Sequence, residues 1–320
     1  MPTISGNAFS NSLSLLCHQL RLSWSEIASQ LSAGQVRSDP DTQQQYAMWT
    51  AVEHRYDGDD FALRAADIFA STPSHPAQLA CLCSPNLEVA LERLRGVFPS
   101  TGLVLSQSES QTTLTIDPDV ARAMPVSLQL AMLAYVVSAT RQVTRKVVPL
   151  AKLELPADIP GRDAAQTYFA IAAETGPMGI TFGTQALQSA FHTADTEIWS
   201  AFEMRLNRSV TESASPAHPY AEQVQEVLYA LLPTGCSTIE HVSDRLAVSK
   251  RTLQRKLSAE GQTFQKLLHK TRKQLAHYYL SIGELSVAEI AGVLSYRDPH
   301  SFLRAYRGWT GKSPARAETA

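Results

Sequence analysis

Arg251, Gln254, Arg255 and Ser258 are spaced i, i+3, i+4 and i+7, which on an α-helix gathers four polar side chains onto one stripe. The chemistry open to such a stripe is hydrogen bonding to a duplex. Arginine pairs two hydrogen bonds with guanine or with a phosphate, and glutamine does the same with adenine. Leu253 and Leu257, four apart on another side of the helix, would anchor it in a core. Forty-nine residues later His300, Leu303, Arg304 and Arg307 repeat the stripe, and Phe302 and Tyr306 repeat the anchor. A solvated helix face accounts for one basic stripe. It does not require the same stripe twice.

The elements that position these residues repeat as well. "TIEHVSDRLAVSKRTLQRKL" (238–257) aligns with "VAEIAGVLSYRDPHSFLRAYRG" (287–308): Val242 falls on Ile290, Leu246 on Leu294 and Val248 on Tyr296 at an offset of 48. One inserted residue then places Leu253 on Phe302, Arg255 on Arg304 and Leu257 on Tyr306. Each copy reads as a short helix, a tight turn closed by a capping residue (Ser249, Asp298) and a second helix. That is the helix-turn-helix pattern, whose second helix enters the major groove. Asp298 suits the N-cap and Pro299 the first helical position, where a missing N–H costs nothing. Free N–H groups at such a helix start suit a phosphate. The connector over 263–280 carries Phe264, Leu267, Leu268, Leu275 and Tyr279 on one side and spans roughly 27 Å. That separation lets two helices approach successive major-groove faces, about 34 Å apart.

The whole chain sets the setting for this basic end. Its 320 residues are 44% apolar and 18% charged, with a net charge of −2, the balance of a globular protein of about two domains. The charge is unevenly held: residues 219–320 contain 14 Lys/Arg against 9 Asp/Glu, and residues 1–218 contain 14 against 21. From Lys250 to Lys273 eight basic residues meet one acid, Glu260. No window resembles a membrane span or a secretory leader. Cys17, Cys81, Cys83 and Cys236 are too scattered for a disulfide framework or a zinc site and read as free thiols of a cytoplasmic protein.

Residues 209–218 lie in a stretch rich in proline, serine and threonine, without apolar periodicity, and read as a linker. Before it, amphipathic helices are expected over 11–31, 43–56, 61–69 and 87–94. A hairpin is expected from 103–105 and 113–116, then a long apolar helix over 127–143, strands over 150–155 and 179–182, and a helix over 196–206. After the linker only helices are expected, beginning over 220–232. The chain therefore reads as multidomain, with an α/β (or α+β) N-terminal domain over 1–208, an all-α C-terminal domain with two helix-turn-helix motifs over 219–316, and a tail over 317–320.

The C-terminal hundred residues resemble the DNA-binding domain of AraC/XylS-type bacterial transcription regulators. The likeness rests on "AVSKRTLQRKLSAEGQTF", the "RKQLA" run, "SVAEIAGVLSYRD" and "SFLRAYRGWTGKSP". The resemblance implies base reading by Arg251, Gln254 and Arg255 and by His300, Ser301 and Arg304. Ser249, Lys250, Arg297, Pro299 and Arg307 complete the expected DNA-contacting set. The chain departs from the family pattern at Ser295, usually glycine, at Arg297, usually serine, and after Pro314, where "ARAETA" replaces a Tyr-Arg pair. "SPNLEVALERLRGVFP" and "GITFGTQALQSAFHTADTEIWSAFE" are similar to the effector-binding domain of one branch of the same family. The resemblance implies an activator acting through RNA polymerase, with repression as the other sign. Its expected partners are promoter DNA, a small-molecule effector and a second copy of the chain, with no cofactor, metal or membrane.

Other chemical readings fail on spacing. "TGKS" (310–313) lacks the glycine that a phosphate loop places five positions before Gly311, and "GPMGITFG" lacks dinucleotide spacing. An enzyme domain fused to the DNA-binding module, of the alkyl-transfer or amidotransferase kind, needs a reactive cysteine in a zinc cluster or on a glycine elbow. Cys17, Cys81 and Cys83 sit in neither. Arg141 and Arg145, in the one basic cluster of the acidic domain, are candidates for an anionic effector; dipole-favoured cations at a helix end are the alternative.

Overall fold

A computed structural model of the chain describes residues 6–30, 42–97, 101–108, 110–200, 202–203 and 219–314. Two compact units emerge, one formed by Met1–Thr72 with Cys81–Asp195 and the other by Thr196–Ala320 with the short segment Pro73–Ala80. The expected linker over 209–218, the tail over 317–320 and residues 201 and 204–206 of the expected helix over 196–206 lie outside the described residues, whereas 196–200 and 202–203 are helical.

Among the described residues the elements up to residue 97 are all helices: α1 (Gly6–Gln19), α2 (Trp24–Gln30), α3 (Thr42–Glu53), α4 (Phe61–Ser71) and α6 (Leu87–Val97) in the first unit, and α5 (Pro76–Leu82), most of which falls in the segment Pro73–Ala80 of the second. The single helix expected over 11–31 is two. Its apolar pattern continues, but Arg21 takes a left-handed φ of 57°, and the Leu22 and Arg21 N–H groups fold back onto the carbonyls of Cys17 and His18. Strands β1 (Leu103–Gln107) and β2 (Gln111–Ile116) form the expected hairpin with Leu103 opposite Ile116. There follow α7 (Pro118–Ala121), α8 (Val126–Thr144), β3 (Leu150–Leu155), α9 (Arg162–Phe169), β4 (Glu174–Thr175), β5 (Gly179–Gly183) and α10 (Thr184–Leu187). The sheet order is β1-β2-β5-β3-β4, antiparallel except for the β3–β4 pair. β5 is central, which explains its unbroken run of buried residues, while β2 alternates between buried and less buried positions.

Helix α8 is the core of this unit, buried along most of its 19 residues. Ala62, Ala65, Ala66 and Ala70 of α4 are all buried, small side chains that let two helices approach closely. Trp49 is fully buried, and its indole N–H donates to Ser127 Oγ at 2.9 Å, which donates in turn to Glu53 at 2.7 Å. A buried indole needs such a partner.

The second unit contains α11 (Tyr220–Leu231), a 3-10 turn (Leu232–Thr234), α12 (Ile239–Arg245), α13 (Lys250–Ala259), α14 (Phe264–Ile282), α15 (Val287–Val293) and α16 (Pro299–Thr310). Its centre is Val224, Leu228, Val242, Leu253, Leu275, Ile290, Leu294 and Phe302, each without exposed surface. Glu260, the lone acid of the basic run, has a structural use. Its carboxylate accepts the Tyr220 N–H at 2.5 Å and the Ala221 N–H at 2.8 Å, capping α11 where Pro219 offers no capping side chain.

Candidate nucleic-acid interface

The main-chain bonds of the turns joining α12 to α13 and α15 to α16 repeat each other. In the first turn Leu246 N–H donates to Val242, Ala247 N–H to Asp244 and Val248 N–H to Ser243. In the second, Leu294 donates to Ile290, Ser295 to Gly292 and Tyr296 to Ala291, every position shifted by 48. Both turns close by the same crossed pair of helix-terminal bonds, which requires a left-handed residue just past the helix. That residue is Ala247 (φ 51°) in one copy and Ser295 (φ 56°) in the other. Neither is glycine. Ser295 gains a compensation, because its Oγ donates to the Leu232 carbonyl at 2.7 Å.

The second helix of each pair starts on a side-chain cap. Ser249 Oγ accepts the Thr252 N–H at 3.1 Å, and Asp298 accepts the Ser301 N–H at 2.8 Å. A hydroxyl three residues into each helix also meets the cap: Thr252 Oγ1 lies 2.9 Å from Ser249 Oγ, and Ser301 Oγ donates to Asp298 Oδ2 at 2.7 Å. These bonds from Ser301 hold the Asp298 carboxyl below its ordinary range. Pro299 occupies the first helical turn, as expected. The preceding helix α15 starts on a full capping box, with Ser286 and Glu289 exchanging bonds.

With helices and caps placed, the expected DNA-contacting residues divide into two groups. Ser249, Lys250, Arg251, Gln254 and Arg255 are all exposed on α13 or its cap, while Leu253 and Leu257 are buried beneath them. Lys250 pairs with Glu240 of α12 at 2.7 Å, and this bond lowers the Glu240 pKa. On the second copy Arg297, His300, Arg304 and Arg307 are exposed, and Pro299 and Ser301 are half-buried. Arg304 Nη2 donates to Ser301 Oγ at 2.9 Å, and Arg307 Nε donates to Ser313 Oγ at 2.8 Å. Phe302 is fully buried, whereas Tyr306 is half-buried between Phe302 and Trp309, and Leu303 is half-buried rather than outward.

A residue that spacing did not single out holds the second turn. Arg272 of α14 donates from Nε to the Leu294 carbonyl and from Nη2 to the Ser295 carbonyl, both at 2.8 Å. Its guanidinium stacks 4.3 Å from the centre of the Tyr296 ring. These are the carbonyls a helix end leaves without intrahelical partners. Burial lowers the Arg272 pKa without threatening its charge. The "RKQLA" run contained the residue; nothing local showed its partners.

In the first unit, Arg141 is already engaged. It donates to the Tyr168 carbonyl at 2.8 Å and lies over the Tyr168 ring at 5.0 Å. The Tyr168 hydroxyl and Ser138 Oγ both donate to Asp67 Oδ1 at 2.6 Å. Arg145 is the exposed, left-handed C-cap of α8 (φ 51°). Neither arginine lines the narrow apolar cleft of about 30 Å³ walled by residues such as Leu87, Leu91, Tyr135, Ala139 and Phe191. Burial pushes the thiol of Cys17 up to about 11 and those of Cys81 and Cys83 up to about 12, away from a reactive thiolate. Among the described residues no group of three or more His, Cys, Asp or Glu could hold a metal ion, and no helix is long and apolar enough to cross a membrane.

Comparison with known proteins bears on both units. Residues 242–319 match the model of a helix-turn-helix domain, and residues 28–189, half of the chain, match that of the arabinose-binding domain of AraC transcription regulator, N-terminal. The chain is similar to the ornithine utilization regulator of Pseudomonas aeruginosa, at 43% identity over 26% of this chain and 24% of the relative. It is similar to the HTH-type transcriptional regulator VirS of Mycobacterium tuberculosis, at 36% identity over 29% and 28%. To the regulator VqsM of Pseudomonas aeruginosa it is 23% identical over 52% and 51%. These matches span about a quarter to a half of each relative's length. The crystal structure of the transcriptional regulator CdpR from Pseudomonas aeruginosa aligns over 97% of both chains, at 21% identity and a TM-score of 0.40.

Proposed function

Because the chain belongs to the AraC family of transcription regulators, we propose that α13 and α16 read promoter DNA and that the N-terminal unit holds a small-molecule effector controlling them. The observation that carries this reading is the double helix-turn-helix, with the same turn bonds, capped helix start and exposed arginine (Arg255, Arg304) in each copy. A single polypeptide then presents two helices joined by a rigid 19-residue connector, α14, roughly 28 Å long. Arg251, Gln254 and Arg255 are assigned to base edges in one groove, and Arg304 with His300 in the next. Ser249, Lys250, Arg297 and Arg307 are assigned to flanking phosphates, and Pro299, which has no N–H to donate, to van der Waals contact with the DNA backbone.

The further elements of the proposal follow the family. Residues 1–208 sense and dimerise, residues 219–316 bind DNA, and the protein works in the cytoplasm as an activator that recruits RNA polymerase. An effector acts by preferring one arrangement of the sensing unit, which changes how the DNA-binding module is presented. For the effector, the Arg141 bonds to Tyr168 support a structural duty for that residue over anion binding.

The test is binding of the intact protein to the intergenic DNA upstream of its own gene, over a salt series, with and without a metabolite library. Salt-sensitive, sequence-specific binding that one metabolite alters is the expected result. Binding no tighter than to random DNA of the same length, at that site and across a randomised library, contradicts the proposal.

A further inference from the structure

We propose that Ser301 is a positioning residue that aims Arg304 at its base, as the middle of a relay running from Asp298 through Ser301 to Arg304. The inference rests on the reading that α16 enters DNA. Its basis is the direction of the bonds. A serine hydroxyl has one proton, and here it goes to Asp298 Oδ2 at 2.7 Å. What remains on Ser301 Oγ is lone pairs, and one of them accepts Arg304 Nη2 at 2.9 Å. Ser301 therefore has no proton to offer a base edge, and positioning Arg304 replaces donation as its part in base reading.

Arg304 loses little by this arrangement. Guanidinium carries five N–H donors, of which Ser301 uses one, and a bidentate contact with guanine needs two. The anionic end of the relay is fixed independently, since Asp298 also accepts the Ser301 N–H at 2.8 Å. Half-buried Ser301 is thus held from two sides while the arginine it supports stays exposed.

The first copy gives the internal comparison. Ser249, Thr252 and Arg255 occupy the equivalent positions 49 residues earlier, and the cap and hydroxyl again lie 2.9 Å apart. There the cap is neutral, and no bond joins Arg255 to Thr252 among the described residues. Only the second copy has a charged cap and a tethered arginine. Arg304 is pre-ordered and Arg255 must order on binding. Holding one long side chain in place in advance favours binding by roughly two- to ten-fold.

The experiment uses the full chain carrying Ser301→Ala, Ser301→Thr, Arg304→Ala or the Ser301→Ala/Arg304→Ala pair. Each is selected on a randomised duplex library, then measured on the wild-type preferred duplex and on its single base-pair replacements. Arg304→Ala should relax preference at one base pair. Ser301→Ala should relax the same base pair, weaken binding two- to ten-fold, and add nothing in the Arg304→Ala background. Ser301→Thr should restore preference, because threonine already fills this place in the first copy. Melting temperatures should stay near wild type, since the bond from the main-chain N–H of residue 301 to Asp298 survives all of these changes. Intact base preference in Ser301→Ala overturns the relay, as does a loss spread evenly over all base pairs or undiminished in the Arg304→Ala background. If Arg304→Ala itself changes no preference, the assignment of α16 to DNA fails and the relay fails with it. If Arg304→Ala relaxes preference and Ser301→Ala does not, the relay alone fails.

Discussion

Arg272 stacks on the Tyr296 ring at 4.3 Å while donating to the two carbonyls just before it, Leu294 and Ser295. One side chain thereby ties the connector α14 to the turn that aims α16. Two charge-assisted bonds and a stacked cation are worth about 2–4 kcal/mol together. Arg272→Ala should therefore lower the unfolding free energy of the C-terminal unit by about that amount. Arg272→Lys should recover less than half, because an ammonium cannot span both carbonyls and the ring. Urea unfolding followed by circular dichroism checks both.

Ala247 and Ser295 share a left-handed backbone but should respond differently to glycine. Ala247→Gly removes a steric penalty and should stabilise the unit by about 0.5–1 kcal/mol. Ser295→Gly gains the same relief but loses the Ser295 bond to Leu232 at 2.7 Å, worth about 1 kcal/mol, so its net change should be close to zero. The two midpoints in urea report the contrast. Equal gains would mean that the Leu232 bond contributes nothing.

The Asp298 cap should leave a mark on acid stability. Its carboxyl is held below the ordinary range by Ser301, so the folded state binds its proton less readily than the unfolded chain. The stabilisation is complete above the ordinary value of about 4 and is lost as pH falls through the lower folded value. Glu240 and Glu289, also lowered, act in the same direction. The difference in melting temperature between wild type and Asp298→Asn should therefore shrink as pH falls below about 4. A difference that stays constant to low pH would contradict the capping account.

Buried thiols predict slow chemistry. At neutral pH iodoacetamide should label half-buried Cys236 first, and Cys17, Cys81 and Cys83 only as fast as the first unit opens. Mass spectrometry of timed samples reads this out. Rapid labelling of Cys81 or Cys83 in the native protein would restore the reading of a reactive-cysteine domain.

The repeat was legible in the sequence because its signals are local. Caps at Ser249 and Asp298, Pro299 at the helix start and the anchors Leu253 and Phe302 all act within one or two turns. Arg272 was not, since its acceptors lie 22 and 23 residues away. Nor was the Asp67–Tyr168 bond, across 101 residues. Helices α5 and α9 went unread because seven or eight residues give too few turns for a period to show. The break at Arg21 was hidden by an apolar pattern that continues past it. The bonds that tie Ser301 to Asp298 and Arg304 depend on side-chain directions that spacing does not give.

The central claim is that the stripe Arg251, Gln254 and Arg255 reads DNA. The most direct measurement is the affinity of wild type and Arg255→Ala for a selected duplex and for random duplex across a salt series. The account predicts that Arg255→Ala loses about 1–3 kcal/mol of discrimination at one base pair while its melting temperature is unchanged. Affinity for random DNA should fall much less, with a salt slope changed by no more than about one charge. Unchanged affinity, salt slope and base preference in Arg255→Ala would contradict it.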